Sequence, residues 1–418
     1  MTQETWFVGI DWAPQRHEVC IVDHDGGVVA RQQIDHTAAA LHAFVDSLRA
    51  RADGDPTRIA MAIEVPRGSV VELLVERGFA VYAINPKQLD RFRDRFTAAG
   101  AKDDRFDAYV LADSLRTDAQ AFRRVQLDDP LIIQIREWSR VDDELQEEFS
   151  QLTNRLRDLI YRLAPGLLRL SPAADDAWLW ALLEEAPTPA HQRRLAEWMV
   201  AQLLRTHRVR RLTAAELVAV LREPVPYSAP GVSEAVTAHV QVILPRVQLV
   251  ARQRRQAQRE LERVLATLAA PAATDGDQRE HADVTIVRSM PGIGTRIAAR
   301  MLAEASQPLA NRAYYILRGL LGVAPITRQS GKRKQVLMRR GCNHRLRQAA
   351  YHWARVATQH DDASRAYYRA LRLRGHTHGR ALRSVANRLL RILCALLRHG
   401  QLFHPEHHRT LSTQPVTL

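Results

Sequence analysis

Short apolar runs in the N-terminal region predict β-strands. Three of these runs alternate between apolar and polar positions, and Asp25, Gly26 and Gly27 are typical of a tight turn between the second and the third. Later apolar runs are interleaved with segments of helical spacing at 41–48 and 70–75. Three antiparallel strands followed by alternating strands and helices predict a mixed sheet flanked by helices. The predicted strands are residues 6–11, 18–23, 28–35, 59–63 and 79–84.

A different periodicity begins at residue 131, where residues that are apolar with two exceptions, Asp142 and Arg254, recur alternately four and three positions apart. The first such seam contains Leu131, Ile135, Trp138, Asp142, Leu145, Phe149, Leu152, Leu156, Leu159 and Leu163. The second contains Val236, Val240, Ile243, Val247, Val250, Arg254, Ala257, Leu261, Val264 and Leu268. Heptad spacing of this length predicts two long helices of the coiled-coil type. They could pair antiparallel within the chain or with a second copy.

These patterns divide the chain into seven segments. The first, residues 1–125, matches the element order of the ribonuclease-H-like fold, which does not by itself establish a function. A helical insertion at 170–231 contains breaks rich in Pro and Ala, and a linker at 270–283 (APAATDGDQREHAD) is polar. The segments are 1–125 (mixed sheet), 126–169 (first long helix), 170–231 (helical insertion), 232–269 (second long helix), 270–283 (linker), 284–399 (all-helical domain) and 400–418 (flexible tail).

The charge of the chain is unevenly distributed. The 60 basic and 46 acidic residues give a net charge of +14. From Ile286 to the end there are 24 Lys and Arg but only 4 Asp and Glu, so this part carries about +20 and the rest about −6. A folded region this basic suits the phosphate backbone of a nucleic acid. A generally arginine-rich proteome is the alternative, but it would not confine the excess to one region.

Composition excludes other classes of protein. Hydrophobic residues make up 46% and charged residues 25% of the chain, as in ordinary globular domains. The three cysteines, Cys20, Cys342 and Cys394, are too scattered for a disulfide framework or a cysteine-based zinc site. The sequence contains no apolar stretch of membrane-spanning length and no secretory leader pattern, so we expect a cytoplasmic protein without membrane contact.

Four carboxylates form the first candidate site. Asp11 and Glu64 each follow an apolar run (FVGID and IAMAIE), where a buried strand has no structural use for a charge. Asp104 and Asp107 lie three residues apart and therefore share one face of a predicted helix. Carboxylates that converge from strand ends and a helix are the ligands that hard divalent cations require. Each acid could also be a solvated surface residue or a helix cap.

A glycine motif at 290–297 (MPGIGTRI) follows an apolar run and opens a helix, as in the hairpin of a helix-hairpin-helix element. Gly292 and Gly294 would let backbone N–H groups approach a phosphate at the helix N-terminus. An ordinary glycine turn between helices is equally compatible with the segment. The surrounding Arg288, Arg296 and Arg300 favour nucleic acid.

A second candidate lies in residues 322–334 (GVAPITRQSGKRK), which Pro325 and Gly331 predict to be a loop. A serine among guanidinium and ammonium groups could attack phosphorus, because the cations stabilise the developing charge. A structural Ser-Gly turn is the alternative. Here Ser330 stands among Arg328, Lys332, Arg333 and Lys334. The basic run that follows resembles a phosphate clamp and contains Arg339, Arg340, His344, Arg345 and Arg347.

Six segments, in this order, resemble the insertion-sequence-110 family of transposases. They cover residues 5–165 and 284–360, and although each motif is short, six in the right order are specific. The segments are FVGIDWA, AIEVPRG, INPKQLDRFR, KDDRFDAYVLADSLRTD, SMPGIG, and GLLGVAPITRQSGKRK with GCNHRLRQAAYHWA. The departures are Asp103, where the family usually has a small polar residue, EVPRG in place of an EATG-like run, and the long insertion at 170–230.

The resemblance implies a RuvC-like DEDD domain, a central coiled coil and a helical transposase domain. Asp11, Glu64, Asp104 and Asp107 would bind Mg²⁺, with Mn²⁺ as a substitute, and Ser330 would be the nucleophile. It also implies recombination guided by a structured bridge RNA that pairs with donor and target DNA. Each active site would combine the acidic domain of one protomer with the serine domain of another, in a dimer or tetramer.

Two other functions fit the same residues. A junction-resolving nuclease of the RuvC type could use the four acids with water in place of serine, and it would form no covalent adduct with DNA. A non-catalytic protein that binds RNA or shapes DNA could retain the acids as relics. Metal-dependent cleavage of a matched DNA substrate would exclude this second alternative.

Overall fold

The three N-terminal strands form a meander in the computed structural model, which describes residues 6–96, 103–126, 128–227, 229, 231–270, 278–330 and 333–405. Short apolar runs such as IAMAI are buried along their whole length, as expected for a strand with other elements on both faces. The strands of this part are β1 (Trp6–Asp11), β2 (Arg16–Asp23), β3 (Val28–Asp35), β4 (Ile59–Ile63), β5 (Ala80–Ala83) and β6 (Arg123–Arg124).

These strands form one mixed sheet in the order β3-β2-β1-β4-β5-β6. The pairs β1–β4 and β4–β5 are parallel, and the outer pairs are antiparallel. The predicted mixed sheet is thus confirmed, and its strand order is consistent with a ribonuclease-H-like domain. Because β1 and β4 are parallel neighbours, the residues that follow them lie at the same edge of the sheet.

Helices cover both faces of the sheet and form a separate core on each. They are α1 (Ala38–Arg51), α2 (Ser69–Glu76), α3 (Pro86–Arg93) and α4 (Asp104–Thr117). Val8, Ile10 and Val19 pack with residues of α1 and α2 on one face. Phe7, Cys20 and residues of α4 pack on the other. With their loops these elements form one compact unit, Met1–Asp128.

The second unit, Asp129–Leu418, contains two long helices. These are α5 (Pro130–Leu163) and α11 (Val232–Ala269), and between them lie the short helices α6 (Leu167–Leu170), α7 (Ala177–Glu185), α8 (Pro189–Arg193), α9 (Glu197–Thr206) and α10 (Ala214–Leu221). Glu148 of α5 pairs with Arg246 of α11, and Asp142 with Gln258. The partner number rises on α11 as it falls on α5, so the two helices run antiparallel within one chain.

Each end of this helix pair belongs to a different core. Apolar residues of 149–163 and 236–250 pack with the insertion helices around Trp178. Ile132 and Ile135 of α5, with apolar residues of 261–268, pack instead with the elements that follow. The helix pair therefore connects two hydrophobic cores inside one unit.

The remaining elements are α12 (Gln278–Ser289), α13 (Thr295–Ala310), α14 (Tyr314–Leu320), β7 (Ile326–Ser330), β8 (Arg333–Leu337), α15 (His344–His360), α16 (Asp362–Leu373) and α17 (His378–His399). Helix α12 begins inside the segment 270–283 that was predicted to be a linker. Beyond α17, the Phe403 backbone N–H donates to Ser289 Oγ at 2.9 Å, so the predicted flexible tail is attached at its start.

The prediction that this domain is all-helical, with a loop at 322–334, is wrong. Strands β7 and β8 pair antiparallel, with Ile326 opposite Leu337 and Ser330 opposite Arg333. Their sequences, ITRQS and RKQVL, have few apolar positions and therefore give no clear strand signal. Among the residues that the structure describes, no helix is both long and apolar enough to cross a bilayer.

Candidate metal centre and nucleic-acid interface

Three of the four predicted acids converge at the end of the central strand. Asp11 is the last residue of β1, and Asp104 and Asp107 occupy the first turn of α4. One carboxylate oxygen from each lies within 4.8 Å of the others. Asp104 is exposed, Asp11 is half-buried and Asp107 is only 1% exposed. The i, i+3 spacing thus places two carboxylates on the helix face that meets the strand.

Gly9 makes this approach possible, and sequence reasoning missed its role. A Cβ atom at Gly9 would lie 1.9 Å from the carbonyl oxygen of Ala108 and 2.6 Å from the nitrogen of Ala112. Helix α4 therefore packs directly on the backbone of β1, two residues before Asp11. The available signal was a glycine inside a strand, which often marks a close approach of another backbone.

Glu64, the fourth predicted acid, follows β4 directly and is half-buried. It lies at the sheet edge where Asp11 also lies, but it does not belong to the three-residue cluster within 4.8 Å. Glu64 is connected to the cluster through Arg93. The negative charge of Glu64 acts on the guanidinium of Arg93, which binds Asp107.

Arg93, the last residue of α3, binds both oxygens of Asp107. Its Nε donates to Oδ1 at 2.5 Å and its Nη2 donates to Oδ2 at 2.7 Å. Its Nη1 donates to the exposed Asp90. Burial acts to lower the pKa of Arg93, but the hydrogen bonds to Asp107 and the charges of Asp107, Asp90 and Glu64 outweigh it and raise that pKa above its usual value. The guanidinium is thus charged and hydrogen-bonded to the acid cluster.

Asp103, next to the cluster in sequence, has a structural role. Its side chain accepts a hydrogen bond from the backbone N–H of Arg105 and caps the N-terminus of α4. The cap fixes the helix start, and this positions Asp104 and Asp107.

Three carboxylates whose oxygens lie within 4.8 Å fit a hard divalent cation, because such ions prefer oxygen ligands.

A pair of histidines lies at the same sheet edge but on the opposite face. His17 Nε2 and His36 Nδ1 are 2.8 Å apart, and His17 is 1% exposed. Burial lowers the pKa of His17, and the neighbouring His36 lowers it further.

The predicted nucleophile, Ser330, is the last residue of β7. Arg328 on the same strand is exposed, and Arg333 begins β8 with Lys334 after it. The side chains of Ser330, Arg333 and Lys334 lie outside what the structure describes, as do residues Gly331 and Lys332 entirely. The hairpin therefore places Ser330 by its backbone, at the end of a strand in a basic segment.

Arg296 and Arg300, both predicted to bind nucleic acid, form ion pairs inside the second unit. Arg296 Nε lies 2.5 Å from Oδ2 of Asp142, which is buried on α5. Arg300 on the next turn pairs with Asp143. These partners lie more than 150 residues away in sequence, so inspection of the basic segment alone could not identify them.

Arg345 and Arg288 have acidic partners of the same kind. Arg345 lies 3.0 Å from Asp143 and 3.0 Å from Glu304, and it donates to Ser139 Oγ. Arg288 pairs with Glu262 of α11 at 2.6 Å. Four arginines that were predicted to bind phosphate thus hold α12, α13 and α15 against the long helices. They are Arg288, Arg296, Arg300 and Arg345.

A cleft of about 1420 Å³ lies between α5, α11, α13 and α15. Other cations line it, among them Arg255, Arg259 and Arg355. Burial lowers the pKa of His352 at its wall, and the charges of Arg355, Arg300 and Arg296 lower it further. Asp143, Glu144, Glu147 and Glu262 also line the cleft, so arginines outnumber acids by seven to four. A concave surface with this excess of cations favours anions.

The two glycines of the predicted hairpin differ in environment. Gly292 has a φ of +84°, and an added Cβ would lie 2.6 Å from the nitrogen of Ala357 on α15. Gly294 precedes α13, and nothing lies within 4 Å of the position of its Cβ. Gly292 is therefore required by helix packing, and only Gly294 has open space beside it. Both line the cleft.

The last predicted clamp residues lie between β8 and the first turn of α15. Arg340 is exposed, while Arg339 and Arg347 are half-buried. Asn343 caps α15, and its side chain accepts from the backbone N–H groups of Arg345 and Leu346. The structure thus leaves Arg328 and Arg340 as the exposed cations of this set whose side chains it describes.

Two protein-family models match the chain. The first, named for DEDD transposases of IS110 and described as "Transposase", covers residues 8–165. The second, described as "Transposase IS116/IS110/IS902 family", covers residues 284–369. The two matches contain the acid cluster and the basic hairpin, respectively.

Curated relatives match over much or all of the chain. The "Mini-circle putative transposase for IS117" of Streptomyces coelicolor is 33% identical over 96% of this chain and 93% of its own length. The "Putative transposase y4uE" of Sinorhizobium fredii is 45% identical over 51% of this chain, a match that spans only 59% of that relative. The "Insertion element IS900 uncharacterized 42 kDa protein" of Mycobacterium paratuberculosis is 28% identical over 97% of this chain and 98% of its own length.

Proposed function

The chain belongs to the IS110 family of transposases, which are enzymes of DNA strand transfer. We propose that it cuts and joins DNA with a metal site of acidic residues and a serine nucleophile. The convergence of Asp11, Asp104 and Asp107 carries the proposal, because carboxylates so close together repel one another. The single guanidinium of Arg93 offsets only one of the three negative charges, and a divalent cation would offset the others. Glu64 at the same sheet edge is the fourth ligand of the proposed site.

In this proposal the acids hold Mg²⁺, for which Mn²⁺ can substitute. When bound there, such an ion would supply Lewis-acid stabilisation of the charge that develops on a phosphoryl oxygen. Asp107 is buried and Asp104 is exposed, so the site has a fixed inner ligand and an outer ligand that substrate can reach. The caps and packing of α4 fix both ligands before substrate arrives.

The Ser330 hydroxyl attacks a phosphodiester, so that a serine–phosphate bond forms and one DNA end leaves. Attack by a second DNA end on that bond joins the strands and regenerates the serine. The position of Ser330 at the end of a hairpin in a strongly basic segment supports this role. Arg328, Lys332, Arg333 and Lys334 would stabilise charge on the phosphate.

Donor and target DNA, and a bridge RNA that pairs with both, are the proposed partners. The charge of about +20 beyond Ile286 and the electropositive cleft support nucleic-acid binding. A dimer or tetramer in which the acids of one protomer meet the serine of another is the proposed assembly. RNA that copurifies with the protein from its native host would identify the guide.

The test is recombination of a plasmid that carries the native locus with its flanking DNA. We expect Ser330→Ala to abolish both recombination and the covalent protein–DNA adduct while DNA binding persists. Thr327→Ala, an exposed hydroxyl on the same strand, is the matched control and should retain both. Full recombination by Ser330→Ala would remove the serine from the mechanism, and recombination without any adduct would favour water as the nucleophile.

A further inference from the structure

The acid cluster already contains a cation that belongs to the protein. Both oxygens of Asp107 accept hydrogen bonds from Arg93, in the two-pronged geometry that makes Arg–carboxylate pairs strong. Asp107 is 1% exposed and lies in the first turn of a helix packed on β1, so it has no freedom to move away. The Arg93 side chain is 20% exposed and ends a helix of eight residues. Of the two partners, Arg93 is the one that can move.

We propose that Arg93 is a positioning residue that occupies Asp107 in place of the metal and must release it before the site can load. This inference rests on the proposed metal site. A divalent ion on Asp11, Asp104 and Asp107 would meet the charge of a guanidinium hydrogen-bonded to one of its own ligands. A guanidinium and a divalent ion that both contact the buried carboxylate of Asp107 repel each other. Arg93 and the ion therefore compete for Asp107.

The structure also provides a place for Arg93 to go. Its Nη1 donates to Asp90, one turn earlier on α3, and Asp90 is 64% exposed at its side chain. When Arg93 releases Asp107, it keeps this exposed partner and turns toward solvent. The guanidinium matches a phosphate oxygen pair as well as it matches a carboxylate. Metal loading and arrival of a phosphodiester are then coupled through one side chain.

A purely structural role for Arg93 predicts the opposite effect on the metal. If Arg93 only held Asp107 in its ligating orientation, removal of the guanidinium would loosen a ligand and weaken metal binding. Competition predicts that removal strengthens metal binding. The sign of the change therefore distinguishes the two roles.

The experiment is a titration of the full-length chain with Mn²⁺, with the free ion followed by electron paramagnetic resonance. We expect Arg93→Gln to bind Mn²⁺ about ten-fold more tightly than the wild type. Arg93→Lys, which keeps the charge without the fork, should lie between them. Arg95→Gln is the matched control, because Arg95 lies two residues away and pairs with Asp118 outside the cluster. Its Mn²⁺ affinity should equal that of the wild type.

Equal or weaker Mn²⁺ binding by Arg93→Gln would overturn the proposal while leaving the metal site intact. If neither the wild type nor Arg93→Gln binds Mn²⁺, the acid site itself fails. Thermal unfolding gives a second measurement that needs no titration endpoint. Arg93→Gln should melt lower than the wild type without metal, and added Mn²⁺ should raise its melting temperature by more. An equal Mn²⁺-induced increase in both proteins would contradict competition.

Discussion

Arg296 Nε lies 2.5 Å from the carboxylate of Asp142, a residue buried on a helix more than 150 positions earlier in the chain. An arginine in the most basic part of the sequence is thus engaged inside the protein. Asp143 beside it is within ion-pair distance of Arg296, Arg300 and Arg345. Part of the positive charge of the C-terminal segment therefore stabilises the second unit.

Arg296→Ala should destabilise the protein by about 2 kcal/mol, because it leaves the buried Asp142 without its ion pair. The value is below that for a fully buried pair, since the Arg296 side chain is 36% exposed. Urea denaturation measures the change. Arg328→Ala, exposed on β7, is the control: it should leave stability unchanged and weaken DNA binding. Unchanged stability in Arg296→Ala would show that the pair contributes little.

Gly292→Ala should cost about 3 kcal/mol or prevent folding, because a methyl group there meets the backbone of α15 at a positive φ. Gly294→Ala should change stability by less than about 0.5 kcal/mol, since it has open space and an ordinary φ. Thermal denaturation of the two variants side by side checks the difference. Equal losses would mean that the close approach at Gly292 is not rigid.

Asp11→Asn or Asp104→Asn should reduce strand exchange on the order of 100-fold or more, because each removes a charged ligand from the proposed metal site. Partial rescue by Mn²⁺ at high concentration is expected if the loss is one of metal affinity. Asp103→Asn is the control, since asparagine caps a helix as well as aspartate does. It should recombine like the wild type, and a loss as large as that of Asp104→Asn would contradict its role as a cap.

Gly9→Ala should abolish Mn²⁺ binding even though residue 9 bears no ligand. A Cβ 1.9 Å from the Ala108 carbonyl oxygen forces α4 away from β1, which separates Asp104 and Asp107 from Asp11. Circular dichroism should show whether the sheet and helices persist. A folded Gly9→Ala protein that binds Mn²⁺ normally would show that the cluster does not depend on this contact.

The stability of the first unit should decrease at acid pH because of His17. Its pKa lies below the usual 6.5 in the folded state, so the unfolded chain binds the proton more tightly. Neutral His17 contributes fully to the stability of the folded state above the pKa of His17 in the unfolded chain. This contribution is lost as the pH falls below 6.5 toward the lower pKa of His17 in the folded state. His17→Gln should therefore reduce the pH dependence of stability between about pH 8 and 5. Denaturation at a series of pH values measures it, and an unchanged slope would exclude His17 as the cause.

The sequence predicted most of the first unit because its signals are local. Strand runs, turn glycines and helical spacing located five strands, and the i, i+3 spacing of Asp104 and Asp107 placed both on one face. The long helices were predicted equally well, since their apolar seams run for more than four heptads. The sequence did not show how closely α4 packs on the backbone of β1, a contact that depends on Gly9.

What the sequence could not show were contacts between distant segments. The acidic partners of Arg288, Arg296, Arg300 and Arg345 lie on the long helices or on α13, and nothing near these arginines identifies them. Arg93 was part of a recognised motif, yet its bond to Asp107 depends on how α3 meets α4. The β7–β8 hairpin was missed because it has no apolar face to give a period-two signal.

The antiparallel helices α5 and α11 have one consequence for mechanics. Because their opposite ends pack in different hydrophobic cores, a torque on the insertion helices is transmitted along α5 and α11 to α12–α17. A molecule that binds the insertion helices would therefore act on the part of this unit that contains Ser330, over some tens of ångströms.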